Sequence, residues 1–334
     1  MRPIVKVSID GKPVSGLFLE RLISIRVVDR EGTRSDTVDL ELEDGPPFVA
    51  LPKPKAKIKV WMGYATSGLV YKGEYTASEI EVQCLPYLLN VPGQGADVTE
   101  DLKTQKERHF DNKSVKDIVK QIAGEHGLKP VIDDAVASHV YEWLGQQSES
   151  DMHLLERLAR RHGALFAIKD GRLVFAEKGT GKSASGKELP VQTISQTQII
   201  EGSCRVRFGD RGRYKTIKAY YQDPNKARRV GVEAQGDANG KGTYKIRETF
   251  SSEGEAREAA KARAKELLRG EVTTTVSIEG RPDFLAGQPF TYAGVRPGVD
   301  GLEFIAEGVT HSYSKGDGLL TEIEGKAKAR NDTA

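Results

Sequence analysis

From residue 1 to about 95 the chain alternates polar and apolar residues at every second position, and from about 191 to 325 it does so again. IVKVSID, LISIRVVD, TVDLELED, AKIKVWMGY, LVYKGEY and SEIEVQ form the first set. TQIIEG, CRVRFG, YKTIKAYYQ, YKIRETF, VTTTVSIEG, QPFTYAG, LEFIAEGVTHSYS and LLTEIEG form the second. A period of two puts one face of each segment into a core and the other into water, which suits half-buried strands and not helices. Short strands at this spacing, with turns such as Asp10-Gly11 and Lys315-Gly316-Asp317-Gly318, favour barrels or sandwiches over a parallel α/β sheet.

Between the two sets the period changes. Ser114 can cap a helix with Val115, Ile118, Val119, Ile122 and Ala123 on its apolar face, ending at His126-Gly127. Ser150 can cap a second, with Leu154, Leu155, Leu158 and Ala159, ending at His162-Gly163. SVKDIVKQIAGEHG and SDMHLLERLARRHG align without a gap, 36 residues apart. A duplicated helix-to-strand unit explains the match, and so does chance convergence of two amphipathic helices. ALFAIKDGRLVFAE follows as a hairpin turning at Asp170-Gly171. A third helix runs from Ser252 to Gly270, alanine-rich on its inner side and charged outside, so it should pack flat against a surface.

The stretch KGTGKSASGKELP, residues 178–190, contains Gly-x-x-x-x-Gly-Lys. A phosphate-binding loop needs Ser or Thr after the lysine and a helix whose amides face the phosphate. Glu188 follows Lys187 here, and Pro190 comes two residues later. A flexible linker fits better. The expected organisation is therefore a β domain at 1–95, an α/β middle domain at 96–177 and a linker at 178–190. A second β domain at 191–325 carries one packed helix (252–269), and a polar tail covers 326–334.

The bulk properties narrow the function. Lys plus Arg number 50 against 48 Asp plus Glu, so the net charge of +2 gives no electrostatic reason to expect a nucleic-acid partner. Two cysteines, Cys84 and Cys204, imply no disulfide framework and suit a reducing compartment. MRPIVKVSIDGKPV has no continuous apolar run for a secretion signal, and no stretch approaches the roughly 20 apolar residues of a membrane span.

No catalytic set emerges from the titratable residues. The histidines, His109, His126, His139, His153, His162 and His311, include no pair with helix-face ligand spacing, and neither cysteine lies in a Cys-x-x-Cys. His126 and His162 read as last-turn residues whose positive charge suits the helix dipole. Gly-x-Ser-x-Gly is absent. Gln147, Glu149, Ser150 and Asp151 read as a helix N-terminus, where serine and carboxylates satisfy free amides. Lys53, Lys55, Lys57 and Lys59 read as the protected edge of a sheet. No cofactor or metal site is expected.

Residues 143–177, WLGQQSESDMHLLERLARRHGALFAIKDGRLVFAE, resemble the phage late control gene D protein family. Members carry Gln-x-x-Glu-Ser-Asp, a Leu-x-x-Leu-Ala helix, a glycine and a hairpin ending Leu-Val-Phe. The matching residues are Gln146 and Gln147, Glu149-Ser150-Asp151, Leu155, Leu158, Ala159, Gly163 and Leu173-Val174-Phe175. GADVTEDLKTQKERHFDNKSVKDIV and the end, LAGQPFTYAGV to GLEFIAEGVTHSYSKGDGLLTEIE, are similar to the family too. The resemblance implies the central hub of a contractile phage tail or tail-like bacteriocin, similar to the N-terminal part of type VI secretion spike proteins. It implies a mainly β fold with an α/β insert: two tube-like β-barrels flanking a small α/β region. It also implies a homotrimer, working as a symmetry adapter between the hexameric tail tube above and the trimeric central spike below. Other baseplate wedge or tape-measure proteins are possible neighbours; sequence-specific nucleic acid and stable membrane insertion are not implied. The expected place is the baseplate of a particle assembled in the bacterial cytoplasm. Spike and wall-cutting activity are expected on separate polypeptides. Two rivals stand beside this: a tail-associated peptidoglycan hydrolase, and the hub part of a type VI secretion-like spike.

Overall fold

The computed structural model describes residues 2–14, 16–32, 36–95, 100–169, 171–181, 188–209, 213–223 and 226–328. The first alternating region forms β1 (Pro3–Ile9), β2 (Lys12–Val14), β3 (Leu22–Arg30), β4 (Thr37–Glu43), β5 (Lys57–Tyr64), β6 (Gly68–Ala77), β7 (Glu81–Gln83) and β8 (Leu88–Gly95), with a helical turn, α1 (Leu17–Arg21), before β3. The middle forms β9 (Gln105–Ser114), α2 (Val115–Glu125), β10 (Lys129–Ile132), α3 (Asp134–Ala137), β11 (Val140–Ser150), α4 (Asp151–His162), β12 (Ala164–Lys169) and β13 (Arg172–Glu177). The rest forms β14 (Gln192–Ser195), β15 (Arg205–Phe208), β16 (Thr216–Asp223), β17 (Arg228–Gln235) and β18 (Thr243–Phe250), then α5 (Glu253–Arg269), β19 (Val272–Glu279), β20 (Pro289–Ala293), β21 (Glu303–Ser314) and β22 (Gly318–Ala327). The linker lysines Lys182 and Lys187 and residues 329–334 of the tail lie outside the described residues.

Strands from both alternating regions join one 14-stranded sheet, in the order β15-β19-β22-β21-β3-β4-β8-β6-β5-β1-β2, with β7 beside β8, β20 beside β21 and β14 beside β20. The junction is β3 against β21, antiparallel from Ser24↔Ser314 to Arg30↔Gly308. No closed barrel is found among the described strands. Where two barrels were expected, the described strands form one continuous sheet that buries two cores. Alternation fixes which side chains point inward, but it does not say where a sheet ends. One core gathers Val7, Ile25, Val38, Leu40, Ile58, Val60, Leu89 and Val91, and Leu319 reaches into it from the far end of the chain. The other gathers Val276, Ile278, Phe284, Phe290, Phe304, Val309 and Ile323, with Phe290 stacked on Phe304 at 5.5 Å between ring centroids.

Two further expectations change. Lys57 and Lys59 do not lie on a sheet edge, because β5 is paired on both sides, by β1 and β6. They answer Glu74 on β6 instead, at 3.9 and 3.1 Å. The alanine face of α5 packs as expected, Ala256, Ala259, Ala260 and Ala264 lying on Ile217, Ala219, Val232 and Phe250. Its surface, however, is a separate three-stranded sheet, β17-β16-β18, so YKTIKAYYQ and YKIRETF leave the long sheet. Short alanines allow the close approach, and the charged outer side stays in water.

The middle region runs strand-helix-strand twice, β9-α2-β10 and β11-α4-β12. Both serine caps form: Ser114 Oγ accepts from the Asp117 amide at 3.0 Å, with Asp117 completing a capping box, and Ser150 Oγ accepts from the His153 amide at 3.2 Å. β9 and β11 pair antiparallel, so the end of α2 comes to the start of α4. Val115, Ile118, Val119 and Ile122 meet Leu154, Leu155, Leu158 and Phe166 in their shared core.

Candidate functional site

The end of α2 and the start of α4 meet over the β9–β11 ribbon, and Asp151 lies there with no exposure. Its carboxylate accepts from Lys106 Nζ and Arg108 Nη2, both at 2.6 Å, from His126 Nε2 at 2.8 Å and from Gln146 Nε2 at 2.9 Å. Lys106 and Arg108 reach it together because they stand two apart on one strand. Arg108 also spans Glu125, at 2.6 and 2.8 Å, and donates from Nε to Gln146 at 2.7 Å. Burial pushes the Asp151 carboxyl up, but the hydrogen bonds from His126, Lys106 and Gln146 and the charge of Arg108 outweigh it and hold it at about 2.

Glu125, His126 and Asp151 bring donor atoms within 4.8 Å of one another, a spacing a metal ion could use. Lys106 already stands there, 2.6 Å from Asp151 and 3.1 Å from Glu125, with Arg108 across the same two carboxylates. Protein cations therefore fill the position that a metal would need. Chemically the cluster is a charge-balanced clasp rather than an acid–base pair.

The family-motif residues divide by the face they occupy. Gln147 is exposed, and the glutamine in the clasp is its neighbour Gln146. A bulge between Gln146 and Glu149, with Ser148 at φ 47, separates the two. Glu149 grips Arg157 at 3.0 and 2.7 Å. Ser150 caps α4, while Leu155, Leu158 and Ala159 are core. Gly163 closes α4 in the left-handed region, φ 65, where an added Cβ would meet the Ala262 methyl of α5 at 3.2 Å. Lys106, Arg108 and Glu125 were not singled out from sequence; the alternation Lys106-x-Arg108 is the one signal that could have shown the two cations.

His162 departs from its expected role. It is buried, Nε2 lies 2.8 Å from the Tyr141 hydroxyl, and burial, with the charges of His139 and Arg161, pushes it down to about 3. The ring is neutral, so it brings no positive charge to the helix end. Arg161 does so instead and reaches Glu255 at 2.5 Å and also Glu248, fastening α4 to α5 and β18.

A second surface spans both β regions. The side of the long sheet facing away from the cores carries unbroken cross-strand rows. One runs Ser277, Glu322, Thr310, Val28, Thr37, Gln94; the next runs Glu279, Leu320, Ser312, Arg26, Asp39, Pro92. Hydroxyls (Ser277, Thr37, Thr310, Ser312) and charged residues (Glu279, Glu322, Arg26, Asp39) make up most of it. Exposed apolar residues stand at two of its edges, Phe208 on β15 and Val82 on β7 with Leu85 just after it.

The family model for the phage tail baseplate hub (GPD) matches residues 35–317. The probable baseplate hub protein of Escherichia phage 186 is 26% identical, covering 98% of this chain and 94% of that protein. The probable baseplate hub protein of Escherichia phage P2 is 25% identical, covering 97% and 93%. In fold the chain is similar to the prophage MuSo2 43 kDa tail protein from Shewanella oneidensis, with a TM-score of 0.70, 15% identity and coverage of 97% and 98%.

Proposed function

The chain belongs to the phage tail baseplate hub family, and on that premise we propose that three copies form a ring adapting a six-fold tail tube to a three-fold spike. As a baseplate hub of a phage tail it is a structural component. The observation that carries the adapter reading is the β3–β21 junction, which joins two β regions, each over its own core, into one sheet. Each copy would present two tube-like units, so three copies would present six to the tube and three of everything else to the spike.

The polar side of the sheet would line the channel, since a lumen carrying water and passing cargo must be wettable. Copies would meet head to tail, the Phe208 edge of one against the Val82–Leu85 edge of the next, a heterologous contact that closes after three. The clasp around Asp151 would hold the middle region rigid beside this ring. A non-catalytic role for this cluster fits its pairing, because its carboxylates are tied to Lys106 and Arg108 and its histidine to Asp151. Quantitative mass spectrometry of purified particles should count three copies in each; two or six copies would overturn the adapter.

A further inference from the structure

The small sheet β17-β16-β18 ends in a long edge that the common protective devices leave open. β17 pairs with β16 over its full length, without a register shift, and with nothing on its other side among the described residues. It contains no proline, and on its core side Val232 and Ala234 carry no charge, the one charged residue in that alternation, Arg228, standing exposed at the start of the strand. Sheet edges are ordinarily blunted by short length, proline, bulges or inward charges. Here the flanking chemistry is strongly one-sided. Residues 213–250 hold nine lysines and arginines against four carboxylates, an excess of five in a chain whose overall excess is two. All four carboxylates are engaged, Asp223 by Lys226, Glu233 by Lys218, Asp237 by Arg213 and Glu248 by Arg161. Arg228, Arg229, Lys245 and Arg247 have no carboxylate partner among the described residues, and all four are exposed.

We infer that the β17 edge takes an extended, carboxylate-rich segment of another protein as a fourth strand, main-chain hydrogen bonds giving the register and Arg228 and Arg229 the charge selectivity. A spare segment of this chain does not suit the edge: residues 178–190 carry three lysines and one glutamate, and residues 326–334 carry three cations and one aspartate. Nucleic acid is disfavoured, because the aromatic ring on this face, Tyr220, is already covered by the Arg229 guanidinium at 3.9 Å and offers no platform to a base.

The test uses the full chain and a peptide as long as β17 that alternates glutamate with valine and threonine. Binding is read by fluorescence anisotropy and by amide hydrogen exchange. The peptide should slow exchange within 228–235, and its affinity should fall roughly tenfold or more in the Arg228→Glu/Arg229→Glu variant. Arg228→Gln/Arg229→Gln should give an intermediate loss, and both variants should keep the circular dichroism of the parent. The inference is overturned if β17 gains no protection, if a lysine peptide binds as well, or if oligothymidylate displaces the acidic peptide. Concentration-dependent protection of β17 in the free protein would overturn it too, by making a second copy the occupant.

Discussion

His126, at the end of α2, donates a 2.8 Å hydrogen bond to Asp151, the first residue of α4. The carboxylate sits at the positive end of one helix dipole and the imidazole at the negative end of the other, so both dipoles favour the contact. Removing one partner of such a buried set leaves the others uncompensated. Asp151→Asn should cost about 3–5 kcal/mol of unfolding free energy, whereas Gln147→Ala, on the exposed side, should stay within about 0.5 kcal/mol. Urea denaturation of both variants distinguishes them, and equal losses would show that the clasp is not what orders this region.

The ends of α4 give a second, smaller pair of effects. Ser150→Ala should cost about 0.5–2 kcal/mol through the lost cap. Gly163→Ala should cost about 1–2 kcal/mol or more, because φ 65 disfavours any Cβ and the Ala262 methyl must also give way. Loss of particle assembly at unchanged stability in Ser150→Ala would assign that serine to an interface instead.

Acid should weaken the fold in two ranges. Burial, with neighbouring positive charge, pushes His162 and His311 down to about 3 from 6.5, so the folded chain binds fewer protons than the unfolded one between those values. Their contribution is whole above 6.5 and falls as pH drops toward 3. Asp151, held at about 2 against 3.8, adds stability above 3.8 that disappears as pH falls through 2. The urea midpoint should therefore decline steadily below 6.5, and His162→Gln should flatten that decline. A midpoint unchanged down to about pH 4 would contradict both assignments.

The middle helices were legible in sequence because a cap, a stripe and a terminal glycine are local signals: Ser114, Ile118 to Ile122, His126-Gly127, and their copies from Ser150. The clasp was less so. Lys106 and Arg108 look like any solvated strand residues until β11 lies beside them. The choice between Gln146 and Gln147 turns on a one-residue bulge that spacing does not reveal. The joining of the two β regions was beyond reach for the same reason. Ser24 and Ser314 are neighbours only through a register set by the cores on both sides, and nothing local to either strand specifies it.

A cryo-EM map of the assembled baseplate bears on the adapter most directly. It should show three copies around one open pore, six β units alternating between the first and second region, and Glu322, Ser312, Arg26 and Asp39 facing the lumen. A map in which one region alone surrounds the pore, or in which that polar face is buried against another protein, would contradict the trimeric adapter even though the chain remains a baseplate hub.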